Sequence, residues 1–303
     1  MRQPVAAIDV GTNTARLLIG IVEPPKGIVP VATKRFITRL GGGFSKEAGI
    51  ADDAWKRSVR ALEDFVREIG MHSVRKVRAV ATSAVRDAVN GRLFCDDVAV
   101  KTGLDLEIID GAMEGLLTLQ GVLAGLDESP LNLFVFDIGG GSTEYTFTEG
   151  GEVLFTESLP LGVVRLIEGK IDIDAIGAKI ERELAAFKGR VASFGALERM
   201  HGATLVGTAG TATTLAAISM KMASYEYAKV NNHVLSLQEI RRIYSMLVPM
   251  RAEERLKVAG IEQGREDLII AGMMLTIRTM EVFGFSTLKV SEFGLLEGIL
   301  LNV

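Results

Sequence analysis

One cysteine in 303 residues, Cys95, excludes an internal disulfide and fits a reducing compartment. Histidine is nearly as scarce: His72, His201 and His233 are too scattered to suggest a metal cluster, and they read as structural or surface residues. No apolar run approaches the roughly 20 residues needed to cross a bilayer, so no membrane-spanning helix is expected. Met1-Arg2-Gln3-Pro4 passes straight into a strand pattern without signal-peptide character, and a cytoplasmic location is the expectation. A formal charge of −4 gives no general attraction to nucleic acid or to an anionic membrane. A polyanionic substrate would therefore need positive charge concentrated in a site. There is no Gly-Lys-Ser/Thr loop, and no Gly-x-Gly-x-x-Gly run within one strand–turn–helix unit. No Ser, Cys or His arrangement for covalent catalysis is evident.

What the sequence does contain is an internal repeat. Leu133-Phe134-Val135-Phe136-Asp137-Ile138-Gly139 matches Val5-Ala6-Ala7-Ile8-Asp9-Val10-Gly11 in residue type, 128 positions later. That period is too long for a solenoid and implies duplication of a whole domain. In the first copy, strands are expected over Val5–Val10, Thr14–Val22 and Ile28–Leu40, with a turn at Glu23-Pro24-Pro25-Lys26-Gly27. A helix capped by Asp52, a strand over Lys76–Ala81, a helix over most of Ala88–Thr102, a strand over Leu106–Ile109 and a helix over Met113–Leu123 follow. The second copy repeats three strands up to Glu157. It continues with helices over Asp174–Phe194 and from Thr211, a capping box at Ser236-Leu237-Gln238-Glu239, a helix over Arg265–Phe283 and a closing helix over Gly294–Leu301. Gly125–Pro130 is the natural linker. Domain boundaries of 1–125 and 126–303 result, with 293–303 as a segment that could complete the first domain. Aligned on their aspartates, the two copies set Thr14 against Ser142 and Arg16 against Glu144, a reversal of charge at one position.

Three glycine-and-hydroxyl turns end strands: Gly11-Thr12-Asn13-Thr14, Gly139-Gly140-Gly141-Ser142-Thr143 and Gly207-Thr208-Ala209-Gly210-Thr211. Glycine lets backbone N–H groups converge on an anion, and the hydroxyls add donors. A helix starting at Thr211 would add its positive end. Asp9 and Asp137 end apolar strands, where an unpaired charge is costly. Each suits Mg²⁺, which takes few carboxylates, and each equally suits acceptance of turn N–H bonds. Arg86 could hold a phosphate in bidentate fashion or pair with Asp87 at the surface. Glu114, near a helix start, and Glu144, just past its turn, could divide proton acceptance and the positioning of water or metal. By spacing alone, Glu114 is equally an ordinary helical glutamate.

These residues resemble the Ppx/GppA phosphatases, exopolyphosphatases and guanosine pentaphosphate phosphohydrolases of the actin-like superfamily, over nearly the whole chain. The family's opening stands at Ala6–Leu17, its Ala-Thr-Ser-Ala-x-Arg-Asp-Ala-x-Asn at Ala81–Asn90, and its Asp-Ile-Gly-Gly-Gly-Ser-Thr-Glu at Asp137–Glu144. Ser158–Leu166, Gly207–Thr211 and Ser291–Leu295 resemble later blocks. The resemblance implies an α/β fold of two actin-like, ribonuclease H-like domains with a cleft between them. It makes Glu114 the base that activates water, within Gly111-Ala112-Met113-Glu114-Gly115, where Met113 and Gly115 depart from the family pattern. Leu296 stands where many members carry arginine. It assigns Mg²⁺ to Asp137 and Glu144, Asp9 is a third candidate ligand, and Mn²⁺ as a substitute and a monovalent cation such as K⁺ are compatible. Thr12, Asn13, Arg16, Arg86, Gly139, Gly140, Gly141, Ser142, Thr143, Gly207, Thr208, Gly210 and Thr211 would hold phosphate oxygens. The implied partners are inorganic polyphosphate or the guanosine penta- and tetraphosphates of the stringent response, with neither nucleic acid nor membrane, and a homodimer is left open. The length matches the short form, without the HD-type helical domains of longer relatives. A kinase or ATPase of the same superfamily, or a non-catalytic binder of polyphosphate or guanosine tetraphosphate, are the alternative readings.

Overall fold

The computed structural model describes residues 3–24, 27–43, 47–128, 130–168 and 172–303. Met1 and Arg2, Pro25 and Lys26 of the expected first turn, and Ser129 of the expected linker lie outside the described residues. The chain forms two compact units: Met1–Ala124 with Gly139–Gly141 and Phe293–Val303, and Gly125–Ile138 with Ser142–Glu292.

The first unit begins β1 (Val5–Val10), β2 (Thr14–Glu23), β3 (Gly27–Ile37), α1 (Asp52–Gly70) and β4 (Val77–Ala81). It continues α2 (Ser83–Arg86), α3 (Gly91–Thr102), β5 (Leu106–Ile108) and α4 (Gly111–Gly125). Its sheet runs β3-β2-β1-β4-β5, antiparallel from β1 to β3 and parallel from β1 to β5. β1 is almost entirely buried, as a central strand covered on both faces must be. The edge strand β3 alternates in exposure and carries Pro30 where the β2–β3 register shifts, a place that needs no regular ladder bond.

The second unit starts with β6 (Leu133–Ile138), β7 (Thr143–Glu149), β8 (Glu152–Leu159), α5 (Val163–Ile167), α6 (Ile173–Ser193) and β9 (Thr204–Thr208). Then come α7 (Ala209–Ser219), α8 (Tyr227–Val230), β10 (Val234–Ser236), α9 (Leu237–Leu247), α10 (Ala252–Arg255), α11 (Ile269–Phe283) and β11 (Thr287–Val290). Its sheet order, β8-β7-β6-β9-β11-β10, reproduces the first sheet's order and strand directions and appends an antiparallel β10. Even the irregularities repeat. A β-bulge interrupts β2–β3 after Ile19 and β7–β8 after Phe147, each ten residues past its aspartate. The duplicated α/β architecture thus stands, as two units with one strand order and the same strand directions.

Strand alternation distributes the first unit's core between two faces. Ala6, Ile8 and Val10 pack with Leu62, Phe65, Phe94 and Val98 of α1 and α3. Ala7, Leu18 and Val80 face the opposite side, against Leu117 of α4 and Leu295, Leu296, Ile299 and Leu300 of the closing helix α12 (Leu295–Leu301). Each fully buried residue of this size contributes roughly 1.5–3 kcal/mol. Leu296 belongs to this apolar layer. The second unit's core is richer in aromatics, with Phe134, Tyr145, Phe187 and Phe283 joined in a cycle of ring contacts. Cys95 is a buried free thiol, and desolvation raises its pKa.

Several boundaries differ from the sequence expectation for local reasons. Ala51, not Asp52, is the N-cap of α1, and Asp52 and Asp53 occupy the first turn, where negative charge suits the helix dipole. The helix expected from Ala88 begins only at Gly91, because Asn90 is held by both backbone groups of Ile50, at 2.8 and 3.0 Å. Ser236 accepts from Glu239 N–H at 3.1 Å as expected, but the Glu239 carboxylate bonds Ser219 at 2.6 Å and leaves the capping box half-formed. α11 begins at Ile269 rather than Arg265, since turns at Arg265 and Gly264, bonded to Glu262 O and the Glu266 side chain, precede it.

Candidate active site

In the first unit, Asp9 faces Arg16 across the β1–β2 ladder. Arg16 donates through Nε and Nη2 to Asp9 Oδ2, at 3.0 and 2.7 Å. The other carboxylate oxygen, Oδ1, is buried without a hydrogen-bond partner among the described residues, as is Asn13 Oδ1. Backbone bonds from Gly41 N–H to Thr12 O and from Arg39 N–H to Asn13 O, both 2.9 Å, hold the turn open between its strands. Thr12 and Ser83 hydroxyls meet at 2.9 Å. The Gly139–Gly141 turn groups with this unit, although the strands on either side of it belong to the other. A Cβ on Gly141 would lie 2.3 Å from Ser83 Oγ and 2.6 Å from Thr12 Oγ1, so this close approach requires glycine.

Glu114 stands in the first turn of α4, where Asp110 Oδ1 accepts from Met113 N–H at 2.8 Å and starts the helix. Its carboxylate is buried, and Arg86 Nη1 donates to Glu114 Oε2 at 3.2 Å and to Ile109 O at 3.1 Å. Arg86 also lies beside Asp87, Nε to Oδ1 3.4 Å, so the expected surface pair exists alongside an inward tie to Glu114. Met113 is exposed.

In the second unit, register aligns Asp137 with Glu144 on β7 and with Thr208 on β9, and Glu144 with Ser158 on β8. Four polar residues thus make one row, Ser158–Glu144–Asp137–Thr208, across four strands, and directly paired residues share a face. The equivalent row of the first unit reads Arg35–Arg16–Asp9–Val80. The charge reversal expected from the repeat is therefore a reversal at one ladder position. Ser158 Oγ donates to Glu144 Oε1 at 2.6 Å, and Thr143 Oγ1 to Leu161 O at 2.7 Å. Ser142, Thr143, Glu144, Asp137 and Thr208 are all buried.

The third turn starts α7 two residues earlier than expected, at Ala209, whose φ of 61° is unusual for a residue with a side chain. The hydroxyl of Thr211 turns toward Gly272 of α11. The Arg265 guanidinium lies against Gly210 and brings positive charge to this turn. Arg265 is the neighbour that motif reading missed, while Ser83 and Ser158 lie in matched blocks to which it gave no role. Arg265 follows Gly210 by 55 residues and carries no local signal. Among the described residues, no group of three or more His, Cys, Asp or Glu side chains gathers as a metal cluster.

The model of the Ppx/GppA phosphatase family matches residues 21–303. Exopolyphosphatase 2 of Mycobacterium tuberculosis is 33% identical, over 99% of this chain and 98% of its own length. Guanosine-5'-triphosphate,3'-diphosphate pyrophosphatase of Aliivibrio fischeri is 26% identical, over 97% of this chain and 58% of its own length. The crystal structure of the Aquifex aeolicus Ppx/GppA family member superimposes with a TM-score of 0.81 and 31% identity, over 99% of this chain and 97% of that one. With a family model spanning most of the chain, and relatives and a solved structure matched nearly end to end, the chain belongs to the Ppx/GppA phosphatase family.

Proposed function

We propose that this protein is a phosphoanhydride hydrolase that releases terminal orthophosphate from inorganic polyphosphate. The observation that carries the reading is Glu114: a buried carboxylate held by an arginine, in a family of phosphatases. Phosphoryl transfer asks for positioning and charge neutralisation more than for covalent chemistry. Glu114 would accept the proton of a water aimed in line at the terminal phosphorus. The new P–O bond forms from water as the bridging P–O bond breaks, and the shortened chain leaves with the bridging oxygen. Arg86, Arg16, Thr12, Asn13 and the N–H groups of the glycine turns would hold phosphate oxygens.

Asp137 and Glu144, paired across one ladder, are the hard oxygen donors that suit Mg²⁺, which needs one or two carboxylates besides water and phosphate oxygens. Bound there, Mg²⁺ would neutralise charge on the transferred phosphoryl group. Polyphosphate is favoured because the exopolyphosphatase relative matches along 98% of its own length, against 58% for the guanosine-nucleotide relative. Conversion of guanosine pentaphosphate to tetraphosphate is the second reading, and rests on that relative.

Phosphate release from short polyphosphate, long polyphosphate and guanosine pentaphosphate, side by side with Mg²⁺, tests the proposal. Polyphosphate should turn over, and Glu114→Gln should lower kcat at least ~100-fold with little change in binding. Tight binding without turnover on any of the three would remove the enzyme reading, and an unaltered kcat would remove Glu114 as the base.

A further inference from the structure

The block Ser158–Leu166 is a motif to which the proposed reaction gives no task. Ser158 lies on β8, the edge strand of its sheet, two residues before Pro160. Edge strands ordinarily turn polar residues to water. This serine instead donates its single hydroxyl proton to Glu144 Oε1 at 2.6 Å, a short bond of the charge-assisted kind. Just beyond that contact, the end of β8 is clamped to β7. Thr143 Oγ1 donates to Leu161 O at 2.7 Å, Leu161 N–H closes on Leu159 O at 2.8 Å, and Leu159 and Leu161 are fully buried. The serine is therefore delivered to the carboxylate from a strand end that is fixed to β7.

The duplication supplies an internal control. At the same ladder position the first unit has Arg35, opposite Arg16. A strand of this fold forms without a hydroxyl there, so local folding does not require Ser158. The hydroxyl occurs in the copy whose partner residue is a carboxylate. Rotation about the last bond of a glutamate side chain is broad, and a fixed donor on one oxygen narrows it.

We propose that Ser158 is a positioning residue for Glu144, whose carboxylate it orients for hydrolysis. The proposal rests on the reading that Glu144 takes part in the reaction. The test compares Ser158→Ala, Ser158→Thr and Ser158→Val with the wild type and Glu144→Gln, using phosphate release from polyphosphate with Mg²⁺. Thr and Val have nearly the same shape and differ in the hydroxyl, and both suit a strand. Ser158→Thr should stay within about threefold of wild-type kcat, while Ser158→Ala and Ser158→Val fall about 10-fold or more with KM changed less than about twofold. Thermal midpoints of the Thr and Val variants should agree. Equal kcat for Thr and Val, at any level, overturns the proposal, and so does wild-type kcat in Ser158→Ala. If Glu144→Gln keeps full activity, the role of Glu144 and this inference fall together. If Glu144→Gln is inactive and Thr and Val still match, the inference alone falls.

Discussion

Arg86 illustrates how one side chain can serve two partners. Its Nη1 bridges the carbonyl of Ile109, between β5 and α4, and the carboxylate of Glu114, at 3.1 and 3.2 Å. Phosphate holding alone would make Arg86→Ala a KM variant. The tie to Glu114 adds a second expectation, because a carboxylate that loses its anchor is less well placed to take a proton. Arg86→Ala should raise KM about 10-fold and also lower kcat by a comparable factor, with Arg86→Lys intermediate because an ammonium lacks the planar fork. Steady-state kinetics on polyphosphate decides this, and a loss confined to KM would restrict Arg86 to substrate holding. Motif reading found both residues. Their pairing was not legible, because 28 positions separate them in sequence and only the fold brings Arg86 to Glu114.

At the scale of elements, the position of Glu114 depends on the contact of α4 with α12. A Cβ on Gly298 would sit 1.8 Å from Leu117 O, and one on Gly121 would sit 1.9 Å from Gly294 O. The helices meet backbone to backbone, and no side chain fits between them. Gly298→Ala must separate them and should cost about 1–3 kcal/mol or more, measured by urea unfolding. Since α4 carries Glu114, turnover should fall as well. An unchanged midpoint would show that α12 yields without cost. Helices and strands themselves were largely legible from periodicity and buried runs. The late start at Gly91 traces to bonds from the distant Ile50 that no local pattern encodes, and the late start at Ile269 to the turns at Gly264 and Arg265 that precede it.

For the molecule as a whole, one carboxyl should tilt stability with pH. Burial pushes the Glu297 carboxyl above its ordinary value of 4.5, against the opposing pull of the Gly294 N–H and the Arg16 charge. The Gly294 bond is 2.8 Å long. A carboxyl whose folded pKa is raised binds more protons folded than unfolded, so its contribution is most favourable below 4.5 and declines as pH rises through the folded value. Glu297→Gln retains an acceptor for Gly294 and removes that decline. Its stability relative to wild type should therefore grow as pH rises from about 4.5 toward neutrality, in urea unfolding at a series of pH values. Parallel pH profiles for the two proteins would refute this.

The sequence alone determined the duplication, because central buried strands need continuous apolar runs and two such runs end in the same Asp-x-Gly turn. It also determined which chemistry-bearing residues each copy carries, down to Arg16 and Glu144 at one equivalent position. Only the tertiary structure decided what each of them meets. Arg86 ties to Glu114, Ser158 to Glu144, and Arg265 lies on Gly210. The physical reason is range. Apolar periodicity is written along the chain, whereas a hydrogen bond acts only within about 3.5 Å, and its partner is chosen by strand register and helix packing among residues far apart in sequence.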